Sequence, residues 1–427
     1  MQPYAISNEQ SKVADVALLT GGWDKPYALG LTAALVAQGL VVDFLGTEEV
    51  DGPELHDDPQ IRFLNLQRAP GRGFADKAFR TLTYYWRTIA YAVTAKPKVF
   101  HILWYSKFIL FDRTVLTLFF RLLGKRLVFT AHNVNAAARD GDDSWVNRST
   151  LKSQYRLTDH IFVHTKKMKE ELVADFHVRP DKVSVIPFGI NSTVPNTKLT
   201  SAQSRERIEL RSSDKVMLFF GNILPYKGLE YLVAAFTQLA KESADYRLII
   251  AGKPKLAPRD CESYWNGIMS QITESEVRER ILERFEYVPD EQTELYFKAA
   301  DVLILPYTHI FQSGILFLSY QFGLPVIATD VGSLREDVVE GKTGLVCKPR
   351  DSSDLAKNIE KYFSSDLYQD LETRRQEIRA FAMEHHSWTT VGQITRQVYE
   401  NLVRREIQDR PENRHTRPIA DFDPAAD

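Results

Sequence analysis

Cysteine is nearly absent from this chain of 427 residues: Cys261 and Cys347 are the only two, and they lie far apart. Two isolated thiols supply neither a disulfide framework nor the ligand spacing of a zinc site, and they point to a reducing compartment. Long apolar runs are lacking as well. The nearest approach to one, Phe108 to Leu123, is interrupted by Asp112, Arg113 and Arg121, so no membrane span is expected. The first ten residues are polar, without the basic-then-apolar order of a secretory leader. Charge of one sign is also missing: the formal net charge is -2, so nothing global suggests a nucleic-acid partner. These absences leave a cytoplasmic globular protein of enzyme size, 44% hydrophobic and 26% charged.

What is present is a rhythm. A chain of this length exceeds one ordinary core, so two domains of similar size are expected. Short β-branched runs alternate with helical stretches. Val13 to Leu19, Leu40 to Leu45, Val99 to Trp104, Leu127 to Thr130 and His160 to Val163 read as strands. A second block of the same kind starts near Lys215, with strands at Val216 to Gly221, Arg247 to Gly252, Val302 to Pro306 and Pro325 to Thr329. Strands separated by helices imply parallel sheets covered on both faces, which is an α/β, doubly wound architecture. The blocks are 1–195 and 215–385. Residues 196–214, rich in Asn, Thr and Ser without apolar periodicity, read as a linker, and the polar 406–427 as a disordered tail. In such folds ligands collect beyond the carboxyl ends of strands, so the residues just after each strand are the candidates.

Several of those loops carry a pattern. Phe220-Gly221-Asn222-Ile223-Leu224-Pro225-Tyr226-Lys227-Gly228 follows one strand. Gln312-Ser313-Gly314 opens a helix, and Gly323-Leu324-Pro325-Val326 and Glu340-Gly341-Lys342-Thr343-Gly344 follow in order. In this order and spacing the set resembles the C-terminal domain of family-4 glycosyltransferases. The resemblance extends more thinly to Gly21-Gly22, to the strand ending at His101, to Thr130-Ala131-His132-Asn133 and to His386-Ser387-Trp388. It implies the GT-B fold, two Rossmann-like domains facing each other across a cleft. The first domain would lie on the acceptor side and the second would hold a nucleotide-sugar donor. A helix at 386–405 would cross back to the first domain. The implied activity is retaining transfer of a hexosyl group from a nucleotide-diphosphate sugar to a glycan or lipid-linked acceptor, in polysaccharide or glycoconjugate biosynthesis. Neither a bound metal nor a cofactor is expected.

The chemistry agrees. A diphosphate needs positive charge and free backbone N–H groups. Lys227 can reach into the crevice, and a helix opening at Gln312-Ser313-Gly314-Ile315 presents its first-turn donors there. The plainer readings are a solvated lysine at a helix start and simple capping by Ser313. Gly21 and Gly22 either let the main chain approach a ligand or make a tight turn. The resemblance implies that His132 faces the donor sugar, whereas a lone histidine is often structural; His101 reads as core-lining. Tyr287 and Val288 stand where the family's nucleobase pocket forms, or they end a buried strand. Two stretches mixing apolar with basic residues, Phe74 to Tyr91 and Lys107 to Arg126, either cover a sheet or rest peripherally on the inner face of a membrane. The acidic run Arg139 to Asp143 reads as a solvated loop that touches the acceptor.

Departures from the family pattern are specific. Asn222 stands where an arginine is usual. The two glutamates common before the Gly-x-Pro-Val strand fall on Ile310 and Leu318, and no Glu lies between Glu294 and Glu336. The alternative these losses raise is a non-catalytic, glycosyltransferase-like subunit with a degenerate donor site.

Overall fold

The computed structural model describes residues 13–67, 74–105, 108–140, 143–190, 194–256 and 259–408. The first sheet has seven strands: β1 (Val16–Leu19), β2 (Val42–Thr47), β3 (Ile61–Gln67), β4 (Val99–Ile102), β5 (Arg126–Thr130), β6 (His160–Val163) and β7 (Val183–Val185). All are parallel, in the order β3-β2-β1-β4-β5-β6-β7. The second has six: β8 (Lys215–Phe220), β9 (Tyr246–Ala251), β10 (Ile281–Arg284), β11 (Val302–Leu305), β12 (Val326–Thr329) and β13 (Gly344–Cys347). These too are parallel, ordered β10-β9-β8-β11-β12-β13. Each sheet therefore reverses its strand order once, between β1 and β4 and between β8 and β11. At such a switch the flanking helices diverge and leave a crevice beyond the strand ends.

The central strands are the legible ones because both faces are covered: Val16 to Leu19 and Val302 to Leu305 are buried at every position. The edge strands escape a reading by apolar runs. Residues 61–67 alternate polar with apolar, β7 has three residues, and β10 carries Glu283 and Arg284. Strand ends also shift from expectation. Val13 is 55% exposed and lies before β1, while β4 stops at Ile102, two residues short of Trp104.

The stretch expected as a linker, 196–214, folds onto the second domain. It contains a helix, Ser201–Arg207, opened by a reciprocal cap between Thr200 and Gln203. Arg205 from this helix pairs with the buried Asp301 at 2.7 Å, and Ile208 joins the second domain's core. A buried arginine bonded to Asp301 and three carbonyls anchors the segment. The final helix, Trp388–Gln408, runs onto the first domain and past the expected end at 405; the tail beyond 408 lies outside the described residues. Its Val391, Tyr399 and Leu402 belong to the first domain's core. Trp388 lies against Gly30 and Gly189, where a Cβ on either glycine would overlap the indole, and its Nε1 donates to the Ile190 carbonyl at 2.8 Å. His101 is core-lining: Nδ1 meets the Tyr399 hydroxyl at 2.5 Å and Nε2 meets Thr130 Oγ1 at 2.7 Å. Burial holds its pKa down to about 3, so it is a neutral strut between sheet and returning helix.

Candidate active site

The second domain contributes a buried cation. β8 ends at Phe220; Gly221 follows it with a φ of 97°, open to glycine, and the chain then makes a short turn at Pro225–Lys227. This turn folds Lys227 inward until it is 7% exposed, which corrects the picture of a solvated lysine. A Cβ on Gly221 would lie 3.2 Å from Lys227 Nζ and 3.6 Å from Ile315 Cδ1. The ammonium and the start of the helix Gly314–Gln321 therefore flank the same glycine. Burial pushes the Lys227 pKa below its ordinary value, and among the described residues no carboxylate contributes to its surroundings; Tyr307 presents its ring face, 5.4 Å away. Asn222, beside it, is exposed.

At the helix start, Ser313 occupies the N-cap position without making a side-chain capping bond. Capping thus does not explain this serine; Leu316 N–H bonds to the Ser313 carbonyl at 3.1 Å, and the N–H groups of Gly314 and Ile315 are the first-turn donors open to an anion among the described residues. Gln312 lies near Asp337, and its Oε1 is buried with no partner among the described residues. Burial raises the Asp337 pKa to about 7, and Ser333 Oγ lies 3.0 Å from its Oδ2. Ile310 and Leu318 are 9% and 5% exposed and pack into the second domain's core, so neither position presents polar chemistry to a ligand. Tyr287 projects into solvent, 69% exposed, in the loop after β10, while Val288 is buried in the core. That loop follows the edge strand β10, two strands from β8 in the sheet.

The first domain contributes an aromatic wall. Gly21 and Gly22 both have positive φ, 63° and 81°, and side chains there would meet the Trp104 carbonyl at 2.8 Å and Thr47 Oγ1 at 2.6 Å. The two glycines let the turn after β1 pass closely over the neighbouring loops. His132, after β5, stacks on Trp104 with ring centroids 4.1 Å apart and planes within 2°. Tyr27 meets the same imidazole edge-on at 4.5 Å, and His164 Nε2 lies 3.3 Å from His132 Nδ1. Burial, then the neighbouring His164 and His101, hold the His132 pKa well below its ordinary value, so the ring is neutral. With Nδ1 engaged, Nε2 is left buried and without a partner among the described residues. A buried nitrogen left in this way is able to take up a further hydrogen bond.

Phe188 joins the two sides. Its ring lies 5.4 Å from Tyr27, 5.0 Å from His164 and 5.0 Å from Phe317, and its Cζ would sit 3.9 Å from a Cβ on Gly314. His132, the helix start and Lys227 are thereby gathered at one cleft. Further along the cleft, Lys167 Nζ donates to the Gly332 carbonyl at 3.3 Å beside a cavity of about 360 Å³. Thr165, Lys167 and Glu171 line it from the first domain, His309, Asp330 and Ser333 from the second. Tyr27, Trp104, His164, Tyr307 and Asp337 were not singled out from sequence. Trp104 and His164 lie just beyond strand ends, so the rule that found His132 also reaches them; Tyr27 and Asp337 carry no local signal.

The model for Glycosyltransferase Family 4 matches residues 26–194, and that for Glycosyl transferases group 1 matches residues 200–380. The chain is 26% identical to the D-inositol 3-phosphate glycosyltransferase of Corynebacterium efficiens, over 95% of this chain and 96% of that one. Its counterpart from Corynebacterium diphtheriae is 28% identical over 66% of each. Among solved structures, sucrose-phosphate synthase from Thermosynechococcus elongatus superposes with a TM-score of 0.71 at 21% identity, covering 92% of this chain and all of that one. HepE from Anabaena, solved with UDP-glucose, gives 0.67 at 17% identity, covering 91% and 99%. These two likenesses establish the GT-B fold, and the paired family models span most of the sequence. The chain is an enzyme of glycosyltransferase family 4.

Proposed function

We propose that this enzyme transfers a hexosyl group, with retention, from a nucleoside-diphosphate sugar to a glycan or lipid-linked acceptor at the cytoplasmic face of a membrane. The carrying observation is Lys227, a buried ammonium without a carboxylate partner among the described residues, set beside a helix start that lacks a side-chain cap. Positive charge and free N–H groups converge where a departing diphosphate accumulates negative charge. His132 Nε2 faces the donor sugar from the opposite wall, and Tyr287 stands exposed where the base would lie. In the reaction the bond from the anomeric carbon to the diphosphate breaks. The acceptor oxygen bonds to that carbon on the same face, and its proton passes to the leaving phosphate. This path needs no carboxylate base or nucleophile, which fits Ile310 and Leu318 in the core. Closure of the domains on the donor keeps water from competing with the acceptor. Relatives named as D-inositol 3-phosphate glycosyltransferases and a neighbour solved with UDP-glucose support the donor class.

The test is thermal unfolding with UDP, GDP, ADP and dTDP in turn. One nucleotide is expected to raise the midpoint by several degrees and so to identify the donor. No shift with any of the four overturns the reading in favour of a subunit without a donor site.

A further inference from the structure

Three helices of the first domain expose apolar side chains that the cleft chemistry does not use. On the helix Phe74–Thr94, Phe79, Leu82 and Trp86 are each at least 70% exposed, and Val93 continues the line. Their spacing of three, four and seven places them on one stripe, opposite the buried Tyr84, Thr88 and Ala92. The helix thus has two apolar faces, one against the sheet and one in solvent. The stretch Ile109–Leu122 repeats this with Phe111, Val115, Leu118 and Leu122 exposed, across an internal π turn at Asp112–Leu116. Phe108 stacks on Tyr85 and Phe111 meets it edge-on, so the two stripes adjoin. Arg113 bonds to Asn147, which brings in the helix Trp145–Leu157 with Trp145 81% exposed. Sheet-covering helices do not need an outer apolar stripe, and contiguous exposed apolar surface marks an interaction site.

Charge selects the partner. These three helices carry Lys77, Arg80, Arg87, Arg113, Arg121, Arg148, Lys152 and Arg156 against Asp76 and Asp112, and Arg121 and Arg148 pair with Asp159 and Asp143 just outside them; eight cations against four carboxylates leave an excess of four, in a chain whose net charge is -2. A second copy of the chain, docked face to face, would set basic helix against basic helix. An anionic bilayer satisfies both features: tryptophan and phenylalanine enter the headgroup boundary while the cations meet lipid phosphates. Among the described residues no helix is long and apolar enough to cross a membrane, so contact would be in the plane of the surface.

The patch also adjoins the cleft. Trp104 stacks on His132, and Phe108, at the edge of the patch, follows after three residues, roughly 14 Å of chain at full extension. From the other side Asn147, two residues from Trp145, donates to Asn135 Oδ1 at 2.9 Å, just beyond His132.

We propose that the face formed by Phe79, Leu82, Trp86, Phe108, Val115, Leu118 and Trp145 docks on an anionic bilayer and holds the cleft within reach of an acceptor anchored in that bilayer. The acceptor half of this statement rests on the transferase reading above; the docking half does not.

The experiment is sedimentation of the full chain with vesicles of phosphatidylcholine alone and with about a third phosphatidylglycerol, alongside the triple variant Phe79→Ser, Leu82→Ser, Trp86→Ser. All three side chains are exposed, so the variant is expected to fold. The nucleotide-induced thermal shift, read on both proteins, reports the donor site separately. The wild type is expected to pellet with the anionic vesicles, and the variant to lose at least ten-fold in partitioning while keeping its nucleotide shift. A wild type that stays in the supernatant with both vesicle types, or a variant that binds as well, overturns the docking. A wild-type dimer in light scattering that the variant converts to monomer, without vesicle binding, overturns it in favour of self-association. Vesicle binding without any nucleotide shift would leave the docking standing and sink only the transferase reading.

Discussion

Replacing Lys227 with methionine separates a ligand-binding role from a structural one. Methionine keeps most of the apolar length and removes the charge. The ammonium is 7% exposed, lies over the Tyr307 ring and has no carboxylate partner among the described residues, so its burial is poorly compensated and lowers its pKa. Removing it should leave the unfolding midpoint unchanged or raise it. With donor bound, the lost charge-assisted hydrogen bonds amount to about 1.5–3 kcal/mol, roughly ten- to a hundred-fold in affinity. A nucleotide at a hundred times its dissociation constant stabilises the wild type by about 2.7 kcal/mol; at the same concentration the variant keeps only about 0.4–1.4 kcal/mol. For domains of this size that is a shift falling from several degrees to a few at most, since each kcal/mol moves the midpoint by about 2–4 °C. Differential scanning fluorimetry across a nucleotide titration reads both quantities. An unchanged nucleotide shift refutes the phosphate contact, and a lower midpoint without ligand assigns Lys227 to structure.

His132→Phe preserves a ring against Trp104 while deleting the orphaned Nε2; folding should survive and kcat fall by about a hundred-fold, and full activity would return His132 to a packing role. Because burial holds that imidazole neutral, the pH–rate profile should show no limb near 6.5 that disappears in this variant. Asp337 has its folded pKa raised from 3.8 to about 7, so the native state binds more protons than the unfolded chain between those values and stability falls as pH rises through them. Asp337→Asn should therefore stabilise by an amount that grows from pH 4 to pH 7 and is constant above; a pH-independent difference in midpoint contradicts the neutral buried acid. Trp388→Ala vacates the space against Gly30 and Gly189 and removes the bond to the Ile190 carbonyl, at a cost of about 3 kcal/mol, read as a lowered denaturation midpoint. A loss under 0.5 kcal/mol would show that the indole does not clamp the returning helix.

Much of the fold is legible because parallel sheets bury both faces of their central strands, which makes β1, β4, β8 and β11 readable as short apolar runs. The edge strands β3, β7 and β10 are not, since one flank meets solvent and polar residues enter them. The stretch 196–214 looks like a linker by composition; the Arg205–Asp301 pair, a contact across nearly a hundred residues, ties it to the second domain. His132, Lys227 and Gln312 to Gly314 are found by one rule, that ligands meet residues just past the strand ends. The same rule cannot say what surrounds them. Tyr27 comes from the first turn of the helix Lys25–Ala37, Trp104, His132 and His164 come from three separate loops, and Trp388 packs on Tyr27 from the far end of the chain.

The sequence by itself determined the architecture, the family and the strand-end positions where chemistry is possible, because each depends on local spacing of apolar residues and glycines. Only the tertiary structure decided which groups are stripped of water and partners. It buried Lys227, orphaned His132 Nε2, sent Ile310 and Leu318 into the core, and turned two covering helices into one exposed apolar face. Burial and neutralisation depend on residues distant in the chain, and no local pattern specifies them.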